Sequence, residues 1–139
     1  MMMTQLHFQP ILGKSFDIIK AILHTTEVAS VGDVYGAVRL VIEELVQNIV
    51  DYAYPEDDNG YIDVEIKRDE TSITLVFHDA GVPFNPLEKE PPDISLPLYE
   101  RKIGGLGILM AFGKMDSVGY EYVNGENVVT VMKGLEIED

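Results

Sequence analysis

The chain has 139 residues, 46% of them apolar, and sets 24 Asp plus Glu against 10 Lys plus Arg for a formal charge of −14. This length suits one domain, 1–139, with a real core, and this charge argues against a surface that holds nucleic acid or an anionic membrane nonspecifically. Without cysteine there is no disulfide framework and no thiolate nucleophile; a metal would need oxygen ligands, as Mg²⁺ does, or a His/carboxylate set that the scattered His7, His24 and His78 support only weakly.

No run reaches the roughly 18–20 apolar residues of a membrane span, and no charged start precedes an apolar signal core, so the expectation is a cytoplasmic protein. From the N-terminus, about Gln5 to Ile11 predicts a short strand. "GKSFDIIKAILHTTEVA" follows, with Phe16, Ile18, Ile19, Ile22 and Leu23 at mainly helical spacing and Ser15 as candidate cap. A second helix is expected to start near Val31 to Asp33 and to run through Val38, Val41, Ile42, Leu45, Val46, Ile49 and Ala53, stopping before Pro55.

After the polar turn "PEDDNG", the runs "YIDVEIKR" and "SITLVFHD" alternate as an antiparallel hairpin. Ala80 to Gly104 holds five of the seven prolines and is too long for an ordinary connection, which points to a lid or a disordered loop. "GGLGILMAFGKM" restores helical spacing behind a glycine cluster, and "SVGYEYVN" and "NVVTVMKG" close the chain as two strands joined at Gly125-Glu126. This order favours an α+β fold: a mixed, mostly antiparallel sheet with helices on one face, rather than parallel βαβ units.

Three short stretches carry chemistry. Glu44 and Asn48 are one helical turn apart and share a face, with Asp51 three further on; together they can position a cation, a water or a hydroxyl. Taken alone, Glu43, Gln47 and Asp51 equally describe a solvated helix face. "FHDAGVPF" ends a strand on Asp79 and turns through Gly81. A carboxylate there suits the amino group of a heterocycle and the glycine lets backbone approach a ring, though the tripeptide is also an ordinary turn. "KIGGLGI" places Gly104, Gly105 and Gly107 where a helix begins, so that free amides and the helix dipole can hold phosphate, while the preceding long loop is the wrong context for a dinucleotide fingerprint.

Glu44-x-x-x-Asn48, Asp79-x-Gly81 and Gly104-Gly105-x-Gly107, in that order and with a lid between the last two, resemble the motif boxes of the Bergerat-fold (GHKL) ATPases, which include the histidine kinases. The phrases "EELVQNIVDYAY", "DAGVPFNP" and "GGLGILMAFGKMDSVGYEYVNGENVVTVMK" look most like the small anti-sigma-factor serine/threonine kinases of bacterial partner switching, and the resemblance covers nearly the whole chain.

The resemblance implies a two-layer α/β sandwich with an ATP lid at about residues 84–103, and ATP with Mg²⁺ as ligands. It makes Asn48 the Mg²⁺ ligand through its side-chain oxygen, Asp79 the acceptor of the adenine amino group and Gly81 part of the base pocket. Gly105 and Gly107, with Gly104 in the same cluster, become the phosphate cradle, and Glu44 the general base. It further implies a sigma factor and a STAS-type anti-anti-sigma protein as partners, and a homodimer through the sheet and first helix.

Two departures stand out: Pro83 replaces a glycine frequent in histidine kinases, and Asp51 stands where a histidine is frequent. A carboxylate near the phosphates would repel them unless it faces Mg²⁺ or solvent. Arg101 and Lys102 are placed either to face the phosphates or as solvated lid charges. No histidine has a phosphoacceptor-helix context. A nucleotide-dependent interaction module without phosphoryl transfer is the alternative reading, and a domain that binds no nucleotide is the third.

Overall fold

The structure is a computed structural model that describes residues 1–10, 14–53, 60–88 and 105–135. A five-stranded sheet runs in the order β1-β2-β3-β5-β4, formed by β1 (Met2–Phe8), β2 (Ile62–Arg68), β3 (Ser72–Asp79), β4 (Ser117–Val123) and β5 (Glu126–Gly134). The four strand pairs are all antiparallel. Helices α1 (Ser15–Leu23), α2 (Thr26–Ala29), α3 (Tyr35–Asn48) and α4 (Gly105–Gly113) complete an α+β architecture.

Strand alternation decides which face the helices cover. Ile62, Val64 and Ile66 of β2, Ile73, Leu75 and Phe77 of β3, and Val129 and Val131 of β5 are buried. They share a core with Ile18, Ile22, Val38, Val41, Ile42, Leu45, Val46, Ile108, Ala111 and Phe112 from the helices. Burying such side chains contributes ~1.5–3 kcal/mol each, which fixes both the register and the face. The same alternation carries Asp79 and Asn127 onto the core face, opposite one another at the end of the β3/β5 pair.

Several expected boundaries move. β1 spans Met2–Phe8 rather than Gln5 to Ile11, because Phe8 pairs with Ile62 at the first position of β2 and Pro10 lacks the N–H needed to continue a ladder. Ser15 is not a cap: it lies inside α1 and its hydroxyl donates to Gln47 Oε1 at 2.9 Å. The single first helix expected through Ala29 is two, since Thr25 is extended and caps α2, its Oγ1 accepting from Val28 N. Gly32, at φ +68°, opens a short 3-10 turn before α3. The final hairpin turns at Asn124-Gly125, both at positive φ, one residue before the expected Gly125-Glu126; two such residues match the right-handed strand twist.

The end of α3 is unusual. Residues Ile49–Ala53 continue it as one turn of π-helix. π-turns mark functional sites often enough to be informative. Of the expected lid, residues 84–88 are described and include a 3-10 turn, Pro86–Glu88; the remainder lies outside the described residues.

Candidate functional site

α3 carries two polar faces. On one, Arg39 pairs with Glu43 at i,i+4, Gln47 Nε2 donates to Asp51 Oδ1 at 2.9 Å, and Asp51 is exposed. Asp51 lies within the π-turn and stays bonded to Gln47 on this exposed face. The carboxylate that departs from the family pattern therefore faces solvent.

On the other face, Asn48 lines a cavity of ≈ 110 Å³ together with Leu45, Ile49, Asp79, Phe84 and Asn127. A space of this size suits a flat ring better than a whole drug-sized ligand. The Asn48 Nδ2 is buried with no hydrogen-bond partner among the described residues. Such a group is costly to leave unpaired in a finished core, and a half-turn of the amide would present its oxygen instead.

Asp79 is buried at the end of β3. Gly81 N and Asn127 Nδ2 both donate to its Oδ1 at 3.0 Å. Desolvation pushes its pKa up from the ordinary carboxylate range, and the hydrogen bonds from Asn127 and Gly81 partly oppose this by favouring the anion. The result is an acceptor on the wall of an otherwise largely apolar cavity, which suits an amino-bearing heterocycle.

Gly81 has a tighter reason to be glycine than approach to a ring. A Cβ there would lie 2.3 Å from the carbonyl oxygen of Ala53 and 2.6 Å from its Cβ. Val82 N donates to that same carbonyl at 3.0 Å, so the loop after β3 is clasped to the π-turn. Its neighbours Val82 and Pro83, not Gly81 itself, line the cavity, with Pro83 taking the place of the second glycine.

At the other end, a Cβ on Gly107 would lie 2.7 Å from Cδ and from both carboxylate oxygens of Glu44. The Glu44 carboxylate is therefore packed over the first turn of α4, where backbone amides and the positive end of the helix dipole face outward. Glu44 also lines an open groove of ≈ 580 Å³ between α1 and α3, beside Gln47, Tyr35 and Arg39. Gly105 is the first residue of α4, as expected. Gly104, Arg101 and Lys102 lie outside the described residues.

The structure thus sets Asn48 and Asp79 on one cavity and Glu44 against Gly107. Asn127 was missed. Its signal was present: Asn127, Val129 and Val131 alternate on one face of β5, and a lone polar residue on a core-facing row needs a partner.

A histidine kinase-like ATPase domain model matches residues 17–133. The chain belongs to that family. Its similarity extends to an anti-sigma F factor of Clostridium beijerinckii, 27% identical over 103 residues, 73% of this chain and 72% of that protein. A serine-protein kinase RsbW of Listeria monocytogenes is 28% identical over 95 residues, 66% of this chain. The match spans 60% of that kinase's length.

The residues of this ATPase-family domain fit the ligand that the family implies. A cavity with a buried acceptor suits an adenine ring, and an orphaned amide beside it has unmet capacity. Among the described residues no three His, Asp or Glu side chains converge to hold a metal. Mg²⁺ commonly borrows oxygens from a nucleotide, and Asn48 has a side-chain oxygen that could add to them. No helix of the described chain is long and apolar enough to cross a membrane.

Proposed function

We propose that the chain binds Mg²⁺-ATP and transfers the γ-phosphoryl group to a serine or threonine of a small STAS-type anti-anti-sigma protein, and that it also sequesters a sigma factor. The observation that carries this reading is the position of Glu44. It stands one turn from Asn48 on the same helix, over the start of α4, and lines an open groove. The names of the two relatives, an anti-sigma factor and a serine-protein kinase, support the same partners.

In this mechanism Asp79 accepts from the adenine amino group, and Asn48 would hold the cation through its side-chain oxygen. The amides of Gly105 and Gly107 face the phosphates. A substrate hydroxyl enters along the α1/α3 groove; Glu44 takes its proton as the oxygen bonds to the γ-phosphorus and the bond to the ADP oxygen breaks. Mg²⁺, when bound, neutralises charge on the phosphates. Phosphoryl transfer needs mainly positioning and charge stabilisation, so one carboxylate and one cation are chemically sufficient.

The test is incubation of the chain and of its Glu44→Ala variant with Mg²⁺-ATP and a STAS-domain protein, read by intact mass, alongside thermal unfolding with and without Mg²⁺-ATP. The expected result is an added phosphate with wild type alone and stabilisation of both chains. Stabilisation of both without any transfer would replace the kinase by a nucleotide-dependent interaction module. No response of either chain would leave a domain that acts without nucleotide.

A further inference from the structure

Asn127 is 4% exposed and sits directly opposite Asp79 in the β3/β5 register. Its Nδ2 donates to Asp79 Oδ1 at 3.0 Å and to the Val82 carbonyl at 2.9 Å, with a longer contact of 3.5 Å to the Gly81 carbonyl. Its Oδ1 accepts from Phe84 N at 3.0 Å and from the Tyr120 hydroxyl. Only one orientation of the amide satisfies this set. A backbone N–H such as that of Phe84 can only donate and a carbonyl such as that of Val82 can only accept, so a flipped amide would oppose both.

The fixed amide has a consequence for Asp79. Its Oδ1 receives two donors, from Asn127 and Gly81, and among the described residues nothing donates to Oδ2. A carboxylate held in this way keeps its remaining oxygen for an entering ligand and offers it only as an acceptor. A purine with an amino group at the 6 position supplies the matching donor; one with a carbonyl there turns a lone pair toward the carboxylate. Without Asn127, the buried Asp79 loses a donor that favours its anion and can take a proton, which would let it donate to that carbonyl.

We propose that Asn127 sets the base selectivity of this site: it is a positioning residue that holds Asp79 in its acceptor role and pins the Val82–Phe84 wall of the cavity. The inference rests on the reading of that cavity as an adenine pocket. Asn127 touches Asp79, the loop and the cavity at once, whereas a residue that only braced the loop would have no bond to the carboxylate.

The experiment measures dissociation constants of Mg²⁺-ATP and Mg²⁺-GTP for the full chain, for Asn127→Ala and for Asn127→Asp. Wild type should prefer ATP. In Asn127→Ala the ATP-to-GTP preference should fall about tenfold or more, the scale of a lost hydrogen bond to a charged group. Equal weakening of both nucleotides, with the ratio kept, would reduce Asn127 to a prop for the fold and overturn the proposal.

Asn127→Asp is nearly isosteric and covers the case in which the alanine variant does not fold. Its new carboxylate faces Asp79 and the Val82 carbonyl, and needs a proton to replace the lost donor. Among the described residues, the titratable groups facing position 127 are Asp79 from β3 and Tyr120 from β4, while Glu126 and His78 meet each other on the opposite sheet face. ATP affinity of this variant should rise as buffer moves from mildly alkaline to mildly acidic, and that of wild type should not. A variant whose affinity ignores pH would also overturn the proposal. If wild type binds neither nucleotide, the adenine reading itself fails; if it binds both equally, the pocket stands and the selectivity does not.

Discussion

The two ends of the site around α3 are built on opposite principles. At the Asp79 end, Asn127, Gly81, Val82 and Phe84 are joined to Asp79 in one hydrogen-bond network, and Gly81 is wedged against the backbone of Ala53. At the Glu44 end, the Asn48 amide nitrogen is buried without a partner among the described residues, and the Glu44 carboxylate rests over Gly107. The first end is organised before any ligand arrives. The second keeps unmet hydrogen-bonding capacity at Asn48, which the proposed reaction would use where charge is rearranged.

This contrast can be broken or sharpened by substitution. The largest effect should come from Glu44→Gln, which keeps shape and removes the base: phosphoryl transfer should fall ~10²–10⁴-fold while the shift in melting temperature caused by Mg²⁺-ATP is retained. Loss of nucleotide binding in that variant would mean that Glu44 belongs to the binding apparatus instead. Next come the two glycines. Gly81→Ala drives a Cβ into the Ala53 backbone and should cost about 2–4 kcal/mol in urea unfolding. Gly107→Ala meets only the end of a flexible side chain and should cost less than about 1 kcal/mol while displacing Glu44 and slowing transfer. Equal costs would erase the distinction between the rigid and the adaptable end.

Asn48→Ala should leave the ligand-free chain within about 1 kcal/mol of wild type, because the removed amide nitrogen has no partner to lose. The same variant should lose the stabilisation of roughly 2.7 kcal/mol expected from a ligand at about 100 times its dissociation constant. The smallest effect is one of pH. Because burial raises the pKa of Asp79 in the folded chain, the folded state binds more protons than the unfolded state between the ordinary carboxylate range and that raised value. Its contribution to stability therefore falls as pH rises through this window. Asp79→Asn should remove that slope, so the stability difference between variant and wild type should shift in the variant's favour with rising pH; a difference independent of pH would show that Asp79 titrates alike in both states.

Much of the fold was legible in local pattern. The alternation of Ile62, Val64, Ile66 and of Ile73, Leu75, Phe77 gave the β2/β3 hairpin, and the spacing of Val38, Val41, Ile42 and Leu45 gave the body of α3. What the pattern misjudged were ends. Ser15 had the chemistry of a cap, but Gln47, thirty-two positions away in sequence, offered its hydroxyl a better partner. Asp51 shares the helical spacing of Glu44 and Asn48, yet it is exposed and bonded to Gln47 within a π-turn that the spacing does not announce. Boundaries of this kind depend on which distant group competes for a hydrogen bond, and no window of neighbouring residues contains that information.

The sequence by itself determined the family, through motifs whose spacing reaches across nearly the whole chain, and it determined which faces of its strands and helices are apolar. It also supplied the acidic and amide side chains of the site in order. Only the tertiary structure decided that Asn127 meets Asp79, that Ala53 requires a glycine at 81, and that Glu44 lies over Gly107. Those pairings join residues far apart in the chain, and they are set by sheet register and helix packing, in which the burial of apolar side chains outweighs any local preference.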